Sequence, residues 1–190
     1  MRSYSKKRDS KPVGRKLGGI GRIAVRARPG NPRQCLIATG GRVLPGALGR
    51  SGISSFKREG DGATPLAAMR LLAGYFRRGR MPAASRLPLL PIRADLGWCD
   101  APGDACYNRP VRLPFRAGHE DMLRPDGLYD AVIVLDWNVT ERRRGRGSAI
   151  FLHVARPGFA PTEGCIAIEP EAMRWLLPRL SRQTVLQILR

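Results

Sequence analysis

The sequence predicts a mainly β domain, a β-rich α+β fold with one short helix, and three observations carry that expectation. Glycine and proline supply 22 and 16 of the 190 residues, a share that favours turns and strands over a helix bundle. Most apolar segments either alternate with polar residues or form short β-branched runs, the patterns of half-buried and fully buried strands. Only residues 170–177 show a helical apolar face. The length suits one domain, and a domain of this size buries roughly 70% of its unfolded surface, enough for a sizeable core.

Residues 1–20, MRSYSKKRDSKPVGRKLGGI, combine basic charge with Ser, Gly and Pro and read as a flexible N-terminal arm; the folded domain is expected over 21–190. Alternation in residues 22–27 predicts a strand, Pro29 to Pro32 a turn, and residues 34–38 a second strand. Gly40-Gly41 offers another turn before residues 42–48, so an antiparallel meander opens the domain. Residues 51–65 have loop chemistry ending in Thr64-Pro65, and residues 66–76 fit a helix or a strand equally. Residues 81–124 are rich in proline and poor in periodicity, and they hold Trp98, Tyr107, Phe115 and His119. A structured, irregular capping region beside a cleft is the expectation.

Residues 128–137, LYDAVIVLDW, form the strongest strand and belong at the centre; residues 148–154 should pair with them. Pro170 suits the first turn of a helix, Glu169 and Glu171 suit its positive end, and Pro178 stops or kinks it. Residues 184–189 close the fold as a strand.

The net charge is +19, and residues 1–50 carry 13 Lys or Arg against Asp9 alone. Such a field attracts polyanions, whether nucleic acid, anionic lipid or acidic wall polymers, without choosing among them. Because 29 of the 34 basic residues are Arg, spread along the whole chain, a generally basic surface is an equal reading. No apolar stretch has the length of a secretory signal or a membrane span. Cys35, Cys99, Cys106 and Cys165 lack the paired spacing of a zinc site; Cys99 and Cys106 are either a short disulfide loop or two separate thiols. His119-Glu120 lacks a third ligand and reads as surface polar residues, so no metal is expected.

The chemistry concentrates in residues 150–168, IFLHVARPGFAPTEGCIAI. An apolar strand carries His153, a Pro/Gly-rich loop follows, and Gly164-Cys165 leads into a second apolar run. The 12-residue separation of His153 and Cys165 lets the loop fold back and set imidazole beside thiol. Gly164 lets the backbone approach a reacting group, with the Gly164 and Cys165 amides free to hold an oxyanion. A buried structural cysteine and a polar histidine are the alternative reading.

This stretch resembles the active-site motif of the L,D-transpeptidases of the YkuD type, in which an upstream His is followed by Ser/Thr-His-Gly-Cys. His153, Thr162 and Gly164-Cys165 match, and residues 57–65 resemble the family's loop ending in Thr-Pro. The resemblance implies a YkuD-like mixed β-sandwich whose short helix follows the cysteine. It implies Cys165 as nucleophile and His153 as general base, oriented by the Val154 carbonyl, with no cofactor. The substrates would be peptidoglycan stem peptides, as donor and acceptor, and Trp98, Tyr107, Asn108, Arg109, His119, Arg156 and Thr162 are the expected substrate-binding residues. Arginines are included because they hold carboxylates in bidentate fashion.

The sequence also resembles a compact branch of that family, through GWCD, YNRPVRLP and SAIFLHVARP, associated with crosslinks from L-Ala of one stem to diaminopimelate of another. Departures stand at Glu163, where the family has His before Gly-Cys, at Ala167, where Asn or Arg is common, and in the short His-to-Cys spacing. The implied location is the periplasm or cell envelope, although the absence of a visible signal leaves the cytoplasm open. The arm would then meet an anionic wall or membrane surface and not nucleic acid, and the protein is expected to be a monomer. A hydrolase on the same stems, or a non-catalytic polyanion-binding module, are the competing readings.

Overall fold

The computed structural model describes residues 18–190, so the expected arm lies, up to residue 17, outside the described residues. Ile20 is already part of the fold: it is buried, and its amide donates to the Arg179 carbonyl at 3.0 Å. The predicted meander opens the domain, with β1 (Arg22–Arg28), β2 (Asn31–Thr39) and β3 (Arg42–Ala47) paired antiparallel. Alternation places Ile23 and Val25 of β1 and Cys35 and Ile37 of β2 inward, while arginines take the other face.

The loop over 51–65 contains two short parallel strands, β4 (Ile53–Ser54) and β5 (Thr64–Pro65). The ambiguous segment after it is a strand, β6 (Ala68–Phe76). The region expected to be irregular is mostly turns and bends, and it carries four short strands, β7 (Leu89–Pro91), β8 (Leu96–Cys99), β9 (Arg109–Arg112) and β10 (His119–Asp121). Its strands are only three or four residues long, too short for alternation to show in the sequence. The strands β11 (Ala131–Leu135), β12 (Phe151–Val154) and β13 (Ile166–Ile168), the helix α1 (Pro170–Leu176) and β14 (Val185–Leu189) complete the chain. After α1, Pro178 lies in a single 3-10 turn over Leu177–Arg179, which ends the helix as expected.

The main sheet runs β11-β12-β13-β3-β2-β1-β14-β6-β7, and β11 also pairs with β6, so eight strands close on themselves with β7 at the side of β6. It is mixed, since β1/β14, β12/β13 and β6/β7 are parallel. The enclosed core joins alternate residues of these strands to Met173 and Leu176 of α1. The fold is therefore mainly β with one short α-helix.

β8, flanked by β9 and β10, forms a separate three-stranded antiparallel cap over the outer face of β11 and β12. Trp98 of β8 meets Phe151 of β12 edge-on, with ring centroids 5.1 Å apart. This explains why β11 is apolar throughout: Ile133 faces the enclosed core, and Val132 and Val134 face the cap. All four cysteines are unpaired, so the disulfide alternative for Cys99 and Cys106 is not realised.

Candidate active site

β12 and β13 run parallel with Leu152 opposite Ile166 and His153 opposite Ala167. Strand alternation puts His153, Ala167 and Cys165, two residues before Ala167, on the face toward the cap. The Cys165 thiol donates to the Ala149 carbonyl at 3.1 Å, and its sulfur accepts from the Phe151 amide at 3.4 Å. The His153 Nδ1–H donates to the Val154 carbonyl at 2.8 Å. That bond leaves the Nε2 lone pair to accept a proton. Tyr129 closes the imidazole's other side edge-on, with centroids 5.4 Å apart.

Burial keeps both groups neutral. It pushes the Cys165 thiol up to about 12, assisted by the negative field of Glu120, and pushes His153 down to about 4. The resting pair is thus a thiol and an imidazole, an arrangement in which sulfur can act as a nucleophile only as its proton is taken.

Gly164 has φ +132°, and a Cβ there would lie 2.8 Å from the Ala63 carbonyl oxygen. Glycine is required both by conformation and by that approach. Thr162 fastens the turn: its hydroxyl donates to the Cys165 carbonyl at 2.7 Å and accepts from the Gly164 amide at 3.1 Å. One expectation is corrected here, because the Gly164 amide is occupied by Thr162 instead of standing free for an oxyanion. Thr162 is accordingly a fastening residue as well as part of the cavity wall.

Asn108 builds the thiol's surroundings from behind. Fully buried, with φ +56°, it accepts from Trp98 Nε1 and from the Ala149 amide, both at 3.0 Å, and donates to the Trp137 carbonyl at 3.1 Å. The same Ala149 then offers its carbonyl to Cys165. Trp98 and Tyr107 are also buried, and the Tyr107 hydroxyl donates to Glu59. Trp98, Tyr107 and Asn108 are therefore corrected from cleft wall to the layer behind it, their polar atoms already spent on the protein.

Arg109 is exposed on β9, and His119 is tied by Nδ1 to the Ala117 carbonyl at 2.8 Å and packed against Phe115. Neither lines the cavity that holds Cys165 and His153. Arg156 does line it. Among the described residues no group of three acids, cysteines or histidines is placed to hold a metal.

That cavity has a volume of about 350 Å³ and is walled by Glu120, Arg124, Tyr129, Arg156, Thr162 and Glu163 around the Cys165–His153 pair. A larger hollow of about 650 Å³ shares Leu128 and Arg156 with it. Sequence reasoning missed Glu120, Arg124 and Tyr129. Tyr129 precedes the central strand and reads as part of it, and Glu120 reads as surface; their hydroxyl–carboxylate hydrogen bond joins cap to sheet, which local pattern does not reveal.

The two departures beside Cys165 also have places. Glu163 sits on the exposed rim and pairs with Arg50 at 2.8 Å. Ala167 is buried beside Ala47 and Ala155, with Phe159 packed on them, and it also lines the cavity.

A family model described as the YkuD L,D-transpeptidase catalytic domain matches residues 24–188. No curated protein sequence matches. Among solved structures, the Ldtfm–avibactam carbamoyl enzyme matches with 12% identity over 88% of this chain and 49% of that one, at a TM-score of 0.40. This chain spans about half that one's length, and a likeness of this size carries no argument of its own. The family match covers the closed sheet, the cap and the stretch from His153 through Gly164-Cys165, and the chain belongs to the YkuD family of L,D-transpeptidase catalytic domains.

Proposed function

We propose that the protein is a cysteine L,D-transpeptidase that crosslinks peptidoglycan stem peptides through a thioester acyl-enzyme. The observation that carries this is that His153 of β12 and Cys165, just before β13, line one cavity, the imidazole anchored through Nδ1 so that Nε2 is the basic nitrogen. As a stem carbonyl enters, His153 takes the thiol proton and the sulfur attacks carbon. The Cys165 amide stabilises the oxyanion. Collapse expels the leaving amine with the proton from His153, and an acceptor amine then takes the acyl group from sulfur.

The neighbouring hollow, which shares Leu128 and Arg156 with the cavity, supports a reaction that needs two stems. Arg124 and Arg156 bring positive charge to substrate carboxylates, although each also faces Asp126, at 2.7 and 3.9 Å. The resemblance to the compact branch favours an L-Ala to diaminopimelate link, and the substrate places the reaction at the cell envelope. The test is incubation of purified protein with muropeptides, with products read by mass spectrometry beside Cys165→Ala. Dimers from the wild type alone are expected; trimmed monomers alone mean hydrolysis, and unchanged muropeptides with folded protein reject the enzymatic reading.

A further inference from the structure

The charged residues of the cavity are not equivalent. Arg124 is held by Asp126 at 2.7 Å, Arg156 faces the same carboxylate at 3.9 Å, and Glu163 is held by Arg50 at 2.8 Å. Glu120 has no ion-pair partner among the described residues. Its polar contact is the Tyr129 hydroxyl, which donates to Oε2 and leaves Oε1 for a guest. An uncompensated carboxylate in a cleft is costly, and a cationic guest removes that cost.

We propose that Glu120 selects the acceptor: its carboxylate docks a primary ammonium group and takes one of its protons, directing the Cys165 thioester toward amines in preference to water. This rests on the acyl-enzyme reading above. The position is fixed from two sides, since β10 pairs Glu120 with Trp98 of β8, and Tyr129 spans from Glu120 to the His153 ring. Burial raises the Glu120 carboxyl, with Asp100 and Glu59 raising it further and Tyr129 and Arg124 opposing, so it is a stronger proton acceptor than a solvated carboxylate. His153, pushed down to about 4, is by contrast a weak base for deprotonating an ammonium group in advance of attack.

The step balances. The ammonium gives one proton to Glu120, and the resulting amine attacks the thioester carbonyl carbon. A second nitrogen proton passes through His153 to the departing sulfur as the C–S bond breaks, leaving an amide and the Cys165 thiol. Glu120 returns its proton to solvent.

The experiment is Glu120→Gln, which keeps the shape and an acceptor for Tyr129, assayed with muropeptides for three quantities: acyl-enzyme by intact mass, dimers, and hydrolysed monomers. The expected result is a dimer-to-monomer ratio at least about 10-fold lower, a partition of the acyl-enzyme that does not depend on how fast it forms. Methoxyamine, an amine uncharged at neutral pH, should react with the variant's acyl-enzyme as fast as with the wild type's. An unchanged ratio, or equal losses with muropeptide and methoxyamine acceptors, overturns the proposal. A wild type that forms no acyl-enzyme overturns instead the reading beneath it.

Discussion

The Cys165 proton rests on the Ala149 carbonyl, and the His153 proton rests on the Val154 carbonyl. Burial holds each group neutral within the shared cavity, so stability varies with pH. His153 titrates at about 4 when folded against an ordinary 6.5, so the unfolded chain binds the extra proton first as pH falls. Stability attributable to His153 is complete above pH 6.5 and is lost between pH 6.5 and 4. Cys165 and Cys35 are both pushed by burial from 9 to about 12. Their contribution is complete below pH 9 and declines from there toward pH 12. Thermal melts across pH should show both flanks, with the acid flank reduced in His153→Gln and the alkaline one reduced in Cys165→Ala.

Asn108 provides a second test at this scale. Its three hydrogen bonds, two of them fully buried, hold Trp98, Trp137 and Ala149 in one arrangement. Asn108→Ala should cost about 3 kcal/mol in urea unfolding, roughly 1 kcal/mol for each bond lost.

At the scale of elements, the site is a crossing between the β12–β13 pair and the cap. The Gly164 turn is held on one side by Thr162 and on the other by the close approach of Ala63. Gly164→Ala should destabilise the protein by about 2 kcal/mol and slow modification of Cys165 by a substrate, measured by denaturation and by intact mass. Trp98→Ala removes the cap's main contact with Phe151 and should cost about 4 kcal/mol in denaturant. Strand periodicity made β1, β2, β3, β12 and β14 legible in the sequence, and proline with paired acids made α1 legible. The cap was not, because its strands are short and its registers depend on partners far away in the chain.

Over the whole molecule, closure of the sheet joins distant segments. β14 lies between β1 and β6, and the Thr184 hydroxyl donates to the Ile20 carbonyl. Deletion of residues 184–190 should abolish cooperative unfolding, followed by near-UV circular dichroism. The same closure explains what local sequence hid of the site. His153, Thr162 and Gly164-Cys165 share one loop and could be read together. Glu120, Arg124 and Tyr129 reach the cavity only because the cap folds over the sheet, whereas Trp98, Tyr107 and Asn108 look like cleft residues by type but turn their polar atoms inward. Charge was a poor guide for the same reason, since the cavity's arginines differ from the exposed ones by placement and not by sequence.

The central claim is that Cys165 takes an acyl group from a stem peptide with His153 as its base. Intact-mass spectrometry of the protein mixed with muropeptides tests it most directly. The account predicts a covalent mass increment that maps to Cys165, disappears in Cys165→Ala and forms at least about 100-fold more slowly in His153→Gln. An increment on another residue, or none while folded protein still converts the muropeptides, would contradict it.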